Sequence, residues 1–133
     1  TTDEIFNGKK VVLFAVPGAF TPTCSAAHLP GFVVNVDAIK AKGVDTVVCM
    51  AVNDAFVMGA WGKAQNAEHI FMLADGNADL TRALGLELDG TGFGMGTRSK
   101  RFAMIVNNGV VELLNVDAAA LEKSTAETIL AAL

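Results

Sequence analysis

Short apolar runs rich in β-branched residues alternate along this chain with longer stretches whose apolar residues recur at helical spacing, which leaves few folds open. Lys10 to Val16 (KVVLFAV) is almost continuously apolar, as a strand covered on both faces must be, and Pro17-Gly18 ends it. From about Thr23 a helix is expected, because Leu29, Phe32, Val33, Val36 and Ile39 share one face, with Gly43 as its stop. Pro30 interrupts that pattern by removing a backbone donor and crowding the preceding turn, so a kink is expected near His28 or Leu29.

The alternation continues to the C-terminus. Val44 to Val52 reads as a second buried strand, and Asn53-Asp54 offers an N-cap for a helix carrying Phe56, Val57, Ala60, Trp61 and Ala64 on one side. Ile70 to Ala74 is a third strand. Asp79 to Leu86 is a short helix ending at Gly85, followed by a glycine-rich loop, Gly90 to Gly96, expected to be mobile or shaped by a partner. Phe102 to Val106 and Val110 to Val116 form a hairpin through Asn107-Asn108-Gly109, and Ser124-Thr125-Ala126-Glu127 reads as a capping box opening a last helix that runs to Leu133. The order β-α-β-α-β-α-β-β-α predicts an α/β chain with the thioredoxin-like fold, a mixed central sheet flanked by helices. No composition break, low-complexity tract or repeat interrupts it, so residues 1–133 read as one domain.

Composition narrows the function. Ten basic against fourteen acidic residues give a formal charge of -4, and outside the short cluster Arg98 to Arg101 there is no basic surplus, which argues against nucleic-acid binding. The mean hydropathy is +0.43, yet the longest apolar stretch, Val11 to Phe20, is broken by Pro17 and Gly18. No segment reaches the roughly 18 to 20 residues that span a bilayer, so no membrane association is expected. The start, Thr1-Thr2-Asp3-Glu4, is acidic, lacks an initiator Met and shows no targeting signal. Two cysteines, Cys24 and Cys49, are too few for a disulfide framework and have no metal-ligand or C-x-x-C spacing, which points to a reducing compartment, with the cytoplasm as the default, and to no metal or cofactor.

Cys24 falls a few residues past the first strand, in the expected first turn of the long helix. Unpaired N–H groups and the positive end of the helix dipole favour an anion there, which stabilises a thiolate. Thr21 and Thr23 lie on the approach, where their hydroxyls can donate to the sulfur or to a bound oxygen, and Pro17 and Pro22 stiffen the turn. By position alone, such a cysteine is equally well a small buried hydrophobe.

The string Pro17-Gly18-Ala19-Phe20-Thr21-Pro22-Thr23-Cys24 resembles the peroxiredoxin active site, P-x-x-x-T-x-x-C, with Pro17, Thr21 and Cys24 at the three fixed positions. The fuller stretch VPGAFTPTCS followed by HLPGF is similar to the peroxiredoxin-5, or type II atypical, subfamily. Val52 to Val57 (VNDAFV) and Arg98 to Phe102 (RSKRF) extend the likeness over essentially the whole chain. Family members usually begin with an extra N-terminal segment, so the resemblance implies that a short native segment precedes Thr1. Members that resolve by an internal disulfide carry a second cysteine in the loop before the last helix; here that loop is Leu121-Glu122-Lys123-Ser124, without cysteine.

The resemblance implies a thiol-dependent peroxidase acting on hydrogen peroxide and alkyl hydroperoxides, in which the Cys24 thiolate attacks the peroxide and becomes sulfenic acid. Ionisation alone does not make such a reaction fast. Lowering a thiol pKa from about 8.5 to about 6 raises its thiolate content roughly 30-fold at pH 7, and the weaker nucleophilicity gives back roughly 10-fold. Oriented donors where charge develops must supply the rest. The resemblance assigns that role to Arg101, with the Thr21 hydroxyl and the backbone N–H groups of Thr23 and Cys24, and places the peroxide against Pro17 and Thr23.

Cys49, among valines in the second strand, reads as a core thiol, although it matches a second cysteine of plant type II relatives. Recycling is therefore expected from an external thiol: glutathione, a glutaredoxin or thioredoxin. His28, one turn after Cys24, reads either as padding for the kink or as a proton donor, the first being favoured. His69 carries no signal, and the five methionines are scattered as core filling. Phe20, Phe56, Trp61, Phe93 and Met95 gather bulky groups near the expected site, and the resemblance implies that they serve a homodimer interface.

Overall fold

The computed structural model describes residues 1–118 and 120–133. Its centre is β1 (Lys10–Ala15), whose residues from Val11 onward are fully buried on both faces, as its unbroken apolar run requires. Parallel pairing joins β1 to β2 (Thr46–Ala51) and β2 to β3 (Phe71–Ala74), while β6 (Arg101–Asn107) lies antiparallel to β1 and to β7 (Val110–Asp117). The five-stranded order β3-β2-β1-β6-β7 is the expected mixed sheet. Asn108 and Gly109 turn the β6–β7 hairpin at φ +48° and +79°, the left-handed region that Asn and Gly tolerate best.

Two cores follow from the two faces. On one, Val12, Phe14, Val47, Cys49, Ala103 and Ile105 meet α2 (Leu29–Ala41), α3 (Ala55–Ala64) and α5 (Ala126–Ala132) through Phe32, Ile39, Trp61 and Ile129. On the other, Leu13, Met50, Phe102 and Met104 are covered by residues of α1 (Thr2–Phe6) and α4 (Asp79–Leu84), chiefly Ile5, Phe6, Leu80 and Leu84.

Two local expectations are corrected, and two features are added to those read from the sequence. The kink at Pro30 takes the form of a π-helical turn, Cys24–His28, leading directly into α2. The Leu29 N–H donates to the Cys24 carbonyl five residues back, and this wider turn accommodates a proline that has no N–H of its own to donate. The last helix is capped one residue later than the Ser124 box: Thr125 Oγ1 accepts from the Thr128 N–H at 3.1 Å, because Ser124 is drawn to Asp117. The loop Gly90 to Gly96 is an internally bonded turn, Thr91–Phe93, closed by a short antiparallel pair, β4 (Glu87–Asp89) and β5 (Thr97–Ser99). Helix α1, too short and too exposed for a periodic signal, had no counterpart in the sequence reading.

Candidate active site

The π-helical turn decides which side chains meet. With more than four residues per turn, Cys24 and His28 fall on one side, and both are 1% exposed. Across from them, β6 starts with Arg101, itself 7% exposed, aimed inward from the sheet. Its guanidinium bridges the two: Nη2 donates to Cys24 Sγ at 3.2 Å, and Nη1 lies 2.8 Å from His28 Nδ1. A planar fork with several donors suits two acceptors at once, as a single ammonium would not.

The loop approaching Cys24 is held from outside the motif. The Ala19 N–H donates to Asn53 Oδ1 at 2.9 Å, and Arg98 donates from Nε to the Met95 carbonyl and from Nη1 to the Val52 carbonyl, both at 2.9 Å. Gly18 is packed so closely that a Cβ there would stand 3.1 Å from Thr21 and 3.2 Å from Met95. Phe20 takes a positive φ of 62° and leaves its ring more than half exposed, a strained position for a bulky residue. Ser25 closes the first turn onto the Thr21 carbonyl at 2.9 Å and accepts from Trp61 Nε1 at 3.0 Å. The amides of Thr23 and Cys24 precede that bond, among the helix-start N–H groups that lack an intrahelical acceptor.

Among the sequence candidates, Cys24, Arg101 and His28 come together. Thr21 differs from expectation: its hydroxyl donates to the Gly18 carbonyl at 2.6 Å, so its lone pairs, not its proton, are on offer. Thr23 is exposed and makes no capping bond; Pro17, half-buried, ends the first strand as expected. Cys49 is fully buried in β2 opposite Phe14 and Met72, and burial first, then the nearby Cys24, raise its thiol well above the usual range. His28 is neither padding alone nor a free proton donor, since both ring nitrogens are engaged, Nε2 with the Ser124 carbonyl at 2.8 Å.

Asp117 escaped the sequence reading, and Ser124 was read only as a helix cap. Asp117 ends β7 in register with Arg101, and its carboxylate accepts from the N–H groups of Glu122, Lys123 and Ser124 and from the Ser124 hydroxyl at 2.6 Å. Burial pushes its pKa up, but those hydrogen bonds outweigh it and bring the carboxyl down to about 2. No local sequence signal marked Asp117, which faces Arg101 only through the β6–β7 register.

These groups set the acid stability. Burial, the largest cause, and the Arg101 charge lower His28 to about 4 against an ordinary 6.5, although the Ser124 bond and Asp117 oppose them. Between those values the unfolded chain binds the extra proton, so stability is complete above pH 6.5 and falls as the pH drops toward 4. Asp117, whose folded value is depressed, adds a further loss between about 3.8 and 2. Urea unfolding should show a loss of about 2 kcal/mol from pH 7 to pH 5, absent in His28→Phe; an equal loss in that variant would dismiss His28 as its source.

Residues 1–130 match the Redoxin family model. The reduced Prx3 of Vibrio vulnificus, solved in complex with hydrogen peroxide, is 67% identical with a TM-score of 0.96 over 99% of this chain and 86% of that one. Peroxiredoxin-2D of Arabidopsis thaliana is 51% identical over 98% of this chain and 82% of its own length. The chloroplastic Peroxiredoxin-2E-2 of Oryza sativa subsp. japonica is 49% identical over the whole chain, which spans 61% of that relative.

Proposed function

The chain belongs to the peroxiredoxins of the redoxin family, in their type II or peroxiredoxin-5 group, and from that premise we propose how its own residues carry out thiol-dependent peroxide reduction. The observation that carries the reading is the Arg101 donor 3.2 Å from Cys24 Sγ, with both side chains buried. The Cys24 thiolate attacks one peroxide oxygen; the S–O bond forms as the O–O bond breaks, and the leaving oxygen takes a proton to depart as water or an alcohol. Sulfur loses two electrons and ends as sulfenic acid. Arg101 Nη2, on the sulfur in the resting state, stabilises the oxygen charge that develops in the transition state. The Thr21 hydroxyl, its proton committed to Gly18, accepts the O–H of the peroxide, and the Thr23 and Cys24 amides complete the donor set.

Recycling needs two external thiols. The first condenses with the sulfenic acid, releasing water and leaving a mixed disulfide; the second attacks that disulfide and regenerates Cys24. No cysteine stands in the loop Leu121 to Ser124, and Cys49 is a core thiol within β2, which favours glutathione with glutaredoxin over an internal resolving thiol. Because Cys24 is 1% exposed, the first turn must unwind locally to admit the larger thiol. Thioredoxin is the alternative reductant, and steady-state turnover with each supply separates the two: glutathione plus glutaredoxin should sustain repeated cycles, and turnover with thioredoxin alone would reverse the assignment.

The exposed rings of Phe20, Phe56 and Phe93 suit a homodimer interface; a monomer by light scattering at micromolar concentration would remove that part of the reading. Both cysteines are free, which suits a reducing compartment such as the cytoplasm, and no helix among the described residues is long and apolar enough to cross a membrane.

A further inference from the structure

His28 joins three elements and takes no direct part in the peroxide chemistry. A guanidinium only donates and a carbonyl only accepts. The contacts at 2.8 Å to Arg101 Nη1 and 2.8 Å to the Ser124 carbonyl are therefore both hydrogen bonds in one form alone: neutral imidazole, bare at Nδ1 and protonated at Nε2. The opposite tautomer would turn Nδ1–H against the guanidinium and a lone pair against the carbonyl, and an imidazolium would set two positive charges side by side. The Ser124 carbonyl is itself fixed, because Asp117 gathers the turn Glu122 to Ser124 through three backbone N–H groups and one hydroxyl.

We propose that His28 is a positioning residue for Arg101, and that Asp117, two residues removed through Ser124 and His28, fixes the tautomer by which the guanidinium is aimed at Cys24. The chain of contacts starts on β7, crosses the turn before α5, passes through the π-helical turn and ends on β6. Because Arg101 and Asp117 are paired in register, one pair of strands holds both ends of it. Among the described residues, the charged groups acting on His28 are Arg101 and Asp117, with Cys24 on the other arm of the same guanidinium; its ring packs near those of Phe14 on β1, at 5.1 Å, and Phe32 on α2, at 5.7 Å. The lowered pKa of His28 agrees with the neutral form.

The inference deepens the peroxidase reading and rests on it, so the test separates the two. Reduced wild type, His28→Phe, His28→Asn and Asp117→Asn are each mixed with hydrogen peroxide and, separately, with iodoacetamide, whose alkylation of the thiolate needs no oxygen-directed donor. His28→Phe should lose about 10-fold or more in the peroxide rate, with alkylation changed by less than about 3-fold. His28→Asn keeps an acceptor where Nδ1 stood and should recover most of that loss, while Asp117→Asn should lose about 3-fold or more with alkylation again spared. A wild-type peroxide rate in folded His28→Phe, or an equal fall in both reactions, overturns the proposal, and a wild-type rate in Asp117→Asn removes Asp117 from it.

One measurement needs no variant. Nitrogen-15 spectra of the wild-type imidazoles, only two in number, should show one ring neutral and protonated at Nε2 from about pH 5 to 8. A His28 protonated at Nδ1, or charged at pH 7, overturns the positioning role even if peroxide reduction is fast. Slow peroxide oxidation of wild type with the expected tautomer would instead defeat the peroxidase reading.

Discussion

Cys24→Ser should abolish peroxide reduction, lowering the second-order rate by at least about 10⁴-fold, to the background of the medium. A serine hydroxyl is not ionised near neutral pH, and oxygen attacks peroxide oxygen poorly, so nothing at position 24 would replace the sulfur. Folding should survive: the change is nearly isosteric, and Arg101 Nη2 can donate to Oγ as it does to Sγ. The comparison is decisive because the chain has a second thiol. Cys49 is fully buried, with a pKa raised well above its ordinary value, so it cannot take over. Trp61, the only tryptophan, bonds Ser25 next to Cys24 and provides the fluorescence signal for stopped-flow mixing. A Cys24→Ser protein that keeps more than about 1% of the wild-type rate would move the reaction to another group.

How much of this was legible in the sequence depended on whether a feature was local. Strands β1 and β2 were readable because a strand buried on both faces must be apolar throughout, and the asparagine and glycine of the β6–β7 turn announce positive φ. The π-helical turn was not readable as such. Pro30 signals that a regular ladder fails, but whether the chain kinks or widens is decided by what lies opposite, here Arg101 drawing Cys24 and His28 to one side. Ser124 fits a capping box by spacing, yet two bonds to the Asp117 carboxylate, from its amide and its hydroxyl, compete for it, and Thr125 caps instead. Cys24 and Arg101 stand 77 residues apart, and nothing in either local sequence places one against the other; their link came from the motif strings. Asp117 acts through a register pairing and a turn, both tertiary, and so remained invisible.

Arg101→Lys tests whether the arginine works by charge or by shape. Lysine keeps the positive charge and most of the stem, so a purely electrostatic role would lose little. The structure argues for shape: one planar group donates to Cys24 from Nη2 and to His28 from Nη1, and a lysine ammonium, strongly hydrated and on a flexible stem, could not be held by both in a site this buried. We expect the peroxide rate to fall about 10²-fold in Arg101→Lys and about 10³-fold in Arg101→Met, the range found when one oriented donor is removed from a developing oxyanion. The rate with iodoacetamide discriminates further. If Arg101 served only to keep the sulfur ionised, both reactions would fall together; if it binds the oxygen leaving the O–O bond, the peroxide rate must fall much further than alkylation. The roughly few-fold gain available from ionisation alone makes the second outcome the one that a fast peroxidase requires. A lysine variant that reduces peroxide at the wild-type rate would show that the fork geometry is incidental, and that the His28 contact holding it serves stability alone.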